Sequence, residues 1–168
     1  PGLVVSSVVY RLLVFAGTVA ICFERVDGAV AVNAWISRFI EGSGYSGFLA
    51  FDFIIDEEGV AQAIECNPRV TSGVHFFDSA ALGAALLDPS SASDIALSQH
   101  ERFQWGYSTL TETYAALFKP REFLRRWREM LRARDVIWSL RDPLPFLLMT
   151  PMSWEILWPA MTSDVTLG

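Results

Sequence analysis

The chain has 168 residues, 52% of them apolar, and a formal net charge of −6 at pH 7. This length is sufficient for one domain with a hydrophobic core. The acidic balance argues against a general nucleic-acid binder, because no broad surface of positive charge would neutralise phosphates. The two cysteines have no metal-type spacing, which favours free thiols in a reducing, cytoplasmic compartment.

Residues 3–23 form the first apolar run, interrupted by a few small polar residues and Arg11. Its length approaches the roughly 20 residues that a transmembrane helix requires. The valine-rich composition and the cost of placing Arg11 in a bilayer favour two strands instead, at 4–15 and 18–25. The alternative is a membrane-associated protein anchored by this run, with the tryptophan-rich tail at the interface. We do not expect a membrane among the partners.

A short strand and a helix are predicted next. The strand covers 29–32, and the helix covers 34–41, with Asn33 as its N-cap and Gly42 at its end. The side of this helix that we expect to face inward carries Trp35, Phe39 and Ile40.

Residues 47–69 predict a β-hairpin and contain the most informative pattern in the chain. An alternating apolar run over 48–55 precedes the turn signal Asp56-Glu57-Glu58-Gly59, and a second run over 60–67 follows it. We expect Ile55 to pair with Val60 across the turn. This register would fix which side chains share a face of the hairpin.

In that register Asp52 lies opposite Ala63. Glu65 is then a diagonal neighbour of Asp52 on the same face, about 7–8 Å away at the backbone. Asn67 lies on this face as well, because side chains two positions apart point the same way. The residues expected to point the other way, into apolar packing, are Ile64 and Cys66.

The three side chains Asp52, Glu65 and Asn67 supply oxygen ligands, which suit Mg²⁺ or Mn²⁺. The alternative is an ordinary hairpin with acidic residues on its solvated face. Asp52 lies between two phenylalanines in mid-strand, where an unpaired carboxylate is unfavourable. This position favours the metal interpretation.

The spacing of these residues, with Glu65-Cys66-Asn67-Pro68-Arg69 thirteen positions after Asp52, resembles the C-terminal hairpin of the ATP-grasp superfamily. The resemblance implies that Asp52, Glu65 and Asn67 hold one or two Mg²⁺ or Mn²⁺ ions against the phosphates of ATP. It further implies that Glu65, Asn67 and Arg69 bind the nucleotide, and that Arg69 is catalytic by steadying phosphate or substrate oxygens.

The resemblance also implies the fold and the organisation of the chain. The expected class is α+β: a C-terminal ATP-grasp subdomain over 1–88, with a mostly antiparallel sheet flanked by helices, then a helical, proline-punctuated extension over 89–168. The superfamily's earlier subdomain supplies a lysine and a glycine-rich loop over the phosphates. This chain contains neither before its hairpin. We therefore expect a fragment without its N-terminal half, inactive in isolation.

The function implied is that of an ATP-dependent ligase. Such an enzyme phosphorylates a carboxylate or enol oxygen of an acceptor and joins it to an amine such as an amino acid, releasing ADP and phosphate. The hairpin and residues 141–148 are similar to mycosporine-glycine synthetases, which activate a cyclic enol-ketone and add glycine. The alternative is a non-catalytic ATP-grasp-like binding module. A homo-oligomer is compatible with either interpretation.

After the hairpin, Thr71, Ser72 and Gly73 are small and polar. In ATP-grasp ligases this loop often lines the acceptor pocket, so the resemblance implies that they bind substrate. His75 could act as a base, but a single histidine before two phenylalanines is more often structural.

The remaining chain is predicted to be mainly helical. Short helices are expected over 78–87 and in the proline-interrupted tail, a linker over 88–91, and a strand within 135–142. A strong amphipathic helix is expected over 120–134. Its six arginines are either a solvated face or a surface for anions or membranes: Arg121, Arg125, Arg126, Arg128, Arg132 and Arg134.

Overall fold

A computed structural model of the chain describes residues 6–88 and 94–162. Its strands are β1 (Tyr10–Ala16), β2 (Val19–Arg25), β3 (Ala50–Ile55), β4 (Ala61–Asn67), β5 (Arg102–Gln104) and β6 (Arg134–Asp135). Its helices are α1 (Val30–Ser43), a 3₁₀ helix (Ser72–Phe76), α2 (Ser79–Leu87), α3 (Gly106–Ala115), α4 (Pro120–Arg132) and α5 (Leu144–Thr162).

The predicted class is confirmed: the chain is α+β, with a mostly antiparallel sheet flanked by helices. The larger sheet has the strand order β1-β2-β5-β6, and β3 and β4 form a separate two-stranded sheet. Two compact units divide the chain, 1–13 with 23–103 and 14–22 with 104–168. The domain boundary predicted between residues 88 and 89 stays a prediction, and the predicted linker over 88–91 lies outside the described ranges except for Asp88.

The first two strands confirm that residues 10–25 are extended rather than a helix. Gly17, whose φ is +58°, allows the tight turn between them. The first residues of the predicted strand, 4 and 5, lie outside the described ranges. Within the ranges the structure describes, every helix is too short or too polar to cross a membrane.

An aromatic cluster forms the core of the first unit. The ring of Tyr10 lies 5.8 Å from that of Phe23 and 5.5 Å from that of Phe76, between ring centroids. Phe76 is fully buried and also meets Phe103, at 5.2 Å. A Cβ on Gly73 would lie 2.9 Å from Cε1 of Tyr10, so this position needs a glycine for the ring to pack.

Helix α1 differs from its prediction at both ends. It begins at Val30, so the predicted strand over 29–32 is wrong, and Asn33 lies inside the helix rather than capping it. The helix ends at Ser43 and is capped by Gly44, in the left-handed conformation with φ +62°, rather than by Gly42 as predicted. Val32 is the buried residue of this helix, and its burial outweighs the strand preference of a β-branched side chain.

In the second unit α4 begins at Pro120, as predicted, and ends at Arg132. Its C-terminal end is held by the buried side chain of Gln104, whose amide donates to the carbonyls of Met130 (2.8 Å) and Ala133 (3.0 Å). These bonds satisfy carbonyl groups that a helix terminus leaves without intrahelical partners.

The tail contains two corrections. The strand predicted within 135–142 is reduced to β6, which ends at Asp135. The short helices predicted for the tail are wrong, because α5 is one continuous helix. Pro145 lies in its first turn, where the missing N–H has no partner within the helix. Pro151 and Pro159 each remove one interior hydrogen bond, and the helix continues past both.

A charged cluster on the larger sheet is expected to make the stability of the fold depend on pH in the acid range. Glu24, with 13% of its side chain exposed, pairs with Arg11 and Arg102. Burial alone raises the pKa of Glu24, but hydrogen bonds and charge attraction from the two arginines outweigh it, so its pKa lies below the ordinary value.

We expect this cluster to stabilise the fold above the unfolded pKa of a glutamate, about 4.3, and to be lost as pH falls through the lower folded pKa. Glu24→Gln should therefore flatten the decline of the urea midpoint below that pH. The control is Glu41→Gln, at an exposed position of α1. Identical acid limbs for the wild type and Glu24→Gln would contradict this expectation.

Candidate functional site

The pairing of β3 and β4 places two carboxylates directly opposite each other. Ile55 pairs with Ala61, and Asp52 pairs with Glu65. A β-bulge shifts the register between Asp52 and Phe53. The predicted pairs, Ile55 with Val60 and Asp52 with Ala63, are therefore wrong, and the two acids are direct rather than diagonal neighbours.

The turn explains the first shift. The Asp56 carboxylate accepts hydrogen bonds from the backbone N–H of Glu58 (3.1 Å) and Val60 (2.8 Å) and from the side-chain amide of Gln62 (3.1 Å). Gly59 adopts φ +81°, which an L side chain rarely does. These bonds hold residues 56–60 together as the loop. Ile55 therefore pairs with Ala61 rather than with Val60.

The bulge then returns Glu65 to the face of the hairpin that carries Asp52. The longer turn alone would place Glu65 on the other face. With Ile55 paired to Ala61 and a regular ladder, Asp52 would oppose Ile64, and Glu65 would point to the other side. One additional residue in β4 brings Glu65 opposite Asp52. Ile64 is that additional residue and is 63% exposed, and Cys66 is exposed as well. The prediction that Ile64 and Cys66 pack inward is therefore wrong.

Aromatic packing holds the opposite face of the hairpin against α1. The ring of Trp35 lies 5.1 Å from that of Phe51 and 5.2 Å from that of Phe53. Phe39 adds a contact with Phe51 at 4.9 Å. Because Asp52 lies between these two phenylalanines in the strand, it points away from α1, and it is exposed.

Asn67 extends the acidic pair along β4. Its side-chain nitrogen donates to Oε1 of Glu65 at 2.8 Å, which leaves its carbonyl oxygen available as a ligand. The backbone of Arg69 bonds back to the carbonyl of Asn67 at 2.9 Å, and its guanidinium is exposed. The structure thus brings Asp52, Glu65 and Asn67 to one face of the hairpin, where both acids are exposed and Asn67 is half-buried, with Arg69 two residues beyond.

This donor set fits a hard cation that retains other ligands. Like charges directly opposite each other on a sheet are destabilising, and a divalent cation between them removes that repulsion. Mg²⁺ is commonly bound by one or two carboxylates together with phosphates. In residues 6–88 and 94–162, no three or more His, Cys, Asp or Glu residues cluster in a way that would bind a metal by themselves. Asp52, Glu65 and Asn67 alone would therefore supply only part of the coordination shell of a cation.

The predicted substrate loop has a packing role in this structure. Thr71 precedes the 3₁₀ helix and accepts the backbone N–H of Val74 at 3.1 Å. Ser72 begins that helix, and Gly73 is buried against Tyr10. The glycine thus allows close approach by an aromatic ring of the same chain. Contact of Thr71, Ser72 and Gly73 with a substrate stays a prediction.

His75 is half-buried beside an aromatic ring of the core. Its ring lies 6.1 Å from that of Phe103, and burial lowers the pKa of its imidazole. The described surroundings thus favour the neutral ring. The role of His75, as a base or as a structural residue, stays a prediction.

A small pocket that sequence reasoning did not identify lies in the first unit. Its volume is about 100 Å³, and its lining includes Ser7, Arg25, Asp27 and Asn33. Arg25 is already bound to Asp27 (3.0 Å) and to the carbonyl of Ser98 (3.0 Å). The sequence indicates only a turn at 26–28 in this region and gives no sign of a pocket. We assign the pocket no chemistry, because its cation is already paired.

No protein-family model, curated protein or solved structure matches this chain. The functional assignment consequently depends on the geometry of the hairpin and on the resemblance of its sequence.

Proposed function

We propose that this chain is the C-terminal part of an ATP-grasp ligase and that its hairpin binds the metal–phosphate end of ATP. The observation that carries this proposal is the direct pairing of Asp52 with Glu65 on an exposed face, with Asn67 bonded to Glu65. An ordinary solvated hairpin has no need to place two carboxylates opposite each other, because the arrangement is destabilising without a cation.

The residues present would hold Mg²⁺ or Mn²⁺ through the two carboxylates and the Asn67 carbonyl oxygen. The ion would neutralise the charge that develops on the phosphates during transfer. The protein's contribution is position. Phe51 and Phe53 fix β3 on α1, and the bulge aims Glu65 at the side of Asp52.

The proposed reaction has two steps. An oxygen of the acceptor, a carboxylate or enol, attacks the γ-phosphorus of ATP, and the bond to the ADP oxygen breaks. The nitrogen of an amine, such as an amino acid, then attacks the activated carbon. A C–N bond forms, phosphate leaves with the acceptor's oxygen, and the amine loses a proton. Arg69 would steady the anionic oxygens through its guanidinium.

Several features of the complete enzyme belong to the same proposal. A lysine and a glycine-rich loop would come from the N-terminal half, and Thr71–Gly73 would border the acceptor. We place the enzyme in the cytoplasm, where Cys22 and Cys66, which form no disulfide, would stay reduced. The likeness to mycosporine-glycine synthetases suggests an enol acceptor and glycine as one pair to assay.

The test is transfer of acceptor oxygen to phosphate. The chain, joined to its upstream half, is incubated with ATP, amino acids and acceptors labelled with ¹⁸O at the carboxylate or enol. The proposal predicts acceptor-dependent ADP and phosphate that carries the label. Unlabelled phosphate would indicate simple ATP hydrolysis and contradict the ligase. ATP binding without turnover for every acceptor would favour the non-catalytic binding module.

A further inference from the structure

Helix α4 has two differently charged sides. It contains five arginines and two glutamates in a chain whose net charge is −6. Arg126 points inward, with 18% of its side chain exposed, and bonds to Glu112 at 3.0 Å and Glu122 at 2.6 Å. The pair with Glu112 attaches α4 to α3, and the pair with Glu122 lies within α4.

The other four arginines form a column on the outside of the helix. At about 100° per residue they fall within about 60° of one another, along roughly 17 Å of helix. All four are exposed, and none forms an ion pair or side-chain hydrogen bond within the part of the chain that the structure describes. This column, called the arginine column below, consists of Arg121, Arg125, Arg128 and Arg132.

Apolar side chains border the column. Leu124 and Leu131, 52% and 70% exposed, lie on the adjacent stripe of α4. Charged residues alone are sufficient for a helix face in water, and such a face does not need exposed leucines beside them. The face therefore combines unpaired positive charge with apolar surface.

We infer that the arginine column and its leucine border bind the surface of an anionic phospholipid membrane. Headgroup phosphates would bind the guanidiniums, and the boundary of the acyl chains would accept Leu124 and Leu131. A nucleic acid would satisfy the arginines and leave the leucines in water. A bilayer surface accommodates both the charged and the apolar side chains of this face. The contact is peripheral and needs no membrane-spanning segment.

The test is co-sedimentation of the chain with phosphatidylcholine vesicles prepared with or without phosphatidylserine. We expect binding only with phosphatidylserine, weakening as salt is added. Arg128→Gln should lower partitioning about fivefold, and replacing all four column arginines by glutamine should abolish it. Leu124→Gln with Leu131→Gln should also weaken binding. Glutamine has nearly the helix propensity of arginine, and circular dichroism checks that each variant is folded.

The matched control is Arg38→Gln, which removes the same charge from an exposed position of α1. It should bind like the wild type. Equal loss in Arg38→Gln and Arg128→Gln would overturn the inference, since the effect would then come from net charge. So would equal binding to vesicles without phosphatidylserine, or no binding to either. Self-association without lipid that the four-arginine variant abolishes would assign the face to a second copy instead.

Discussion

Replacing Glu65 by glutamine should lower the turnover of the proposed ligase, assayed with its upstream half, at least about 100-fold. The substitution keeps the size of the side chain and an oxygen that can accept the 2.8 Å bond from Asn67. It removes one of the two charges that the proposed cation requires. Stability should be unchanged or slightly higher, by roughly 0.2–1 kcal/mol, because Asp52 no longer faces a like charge.

The control for this substitution is Glu58→Gln in the turn of the same hairpin. Glu58 is exposed, and its backbone N–H, not its side chain, bonds to Asp56. The variant makes the same change in net charge and should retain the turnover of the wild type. The measurement is steady-state ADP release, with urea denaturation in parallel. Equal turnover in the wild type and Glu65→Gln would show that this carboxylate is not part of the site.

The largest expected effect on stability is at Gly106, the buried first residue of α3. A Cβ there would overlap the carboxylate of Asp135. That carboxylate cannot move freely, because it accepts the backbone N–H groups of Ile137 and Trp138, both at 2.6 Å. We expect Gly106→Ala to lower the free energy of unfolding by about 3 kcal/mol, through overpacking and the loss of these bonds.

Gly83 in α2 provides the matched control. A Cβ at this position meets nothing within 4 Å, so Gly83→Ala should stabilise the chain by up to about 1 kcal/mol. Both variants are measured by urea denaturation. In an Asp135→Ala background, Gly106→Ala should have little further effect, because the overlapping carboxylate is gone. A loss of less than about 0.5 kcal/mol in Gly106→Ala would contradict the close packing described.

The hairpin shows how far sequence reasoning reaches. Alternation and turn residues identify the two strands and predict a shared face for Asp52 and Glu65. They do not predict the register, which is set by two local devices. The hydrogen bonds of Asp56 lengthen the turn, and the bulge at Ile64 compensates for it. Either the longer turn or the bulge alone would shift the register by one residue and place Glu65 on the opposite face from Asp52. Neither feature has a unique sequence signature.

In the helices, too, local features follow from the sequence, whereas features set by tertiary contacts do not. The amphipathic pattern and Pro120 predict α4, because both its start and its apolar side are local properties of the sequence. The pattern does not distinguish Arg126, which turns inward, from the exposed arginines around it, because that depends on Glu112 of α3. Likewise, the start of α1 at Val30 depends on the tertiary burial of Val32 and not on its propensity.

The central claim is that Asp52, Glu65 and Asn67 bind a divalent cation. The most direct test is titration of the chain with Mn²⁺, following the paramagnetic broadening of each backbone amide by NMR. We expect the amides of Asp52, Glu65 and Asn67 to broaden first and Glu65→Gln to remove this effect. Broadening centred on the acidic turn at 56–58, or unchanged broadening in Glu65→Gln, would contradict it.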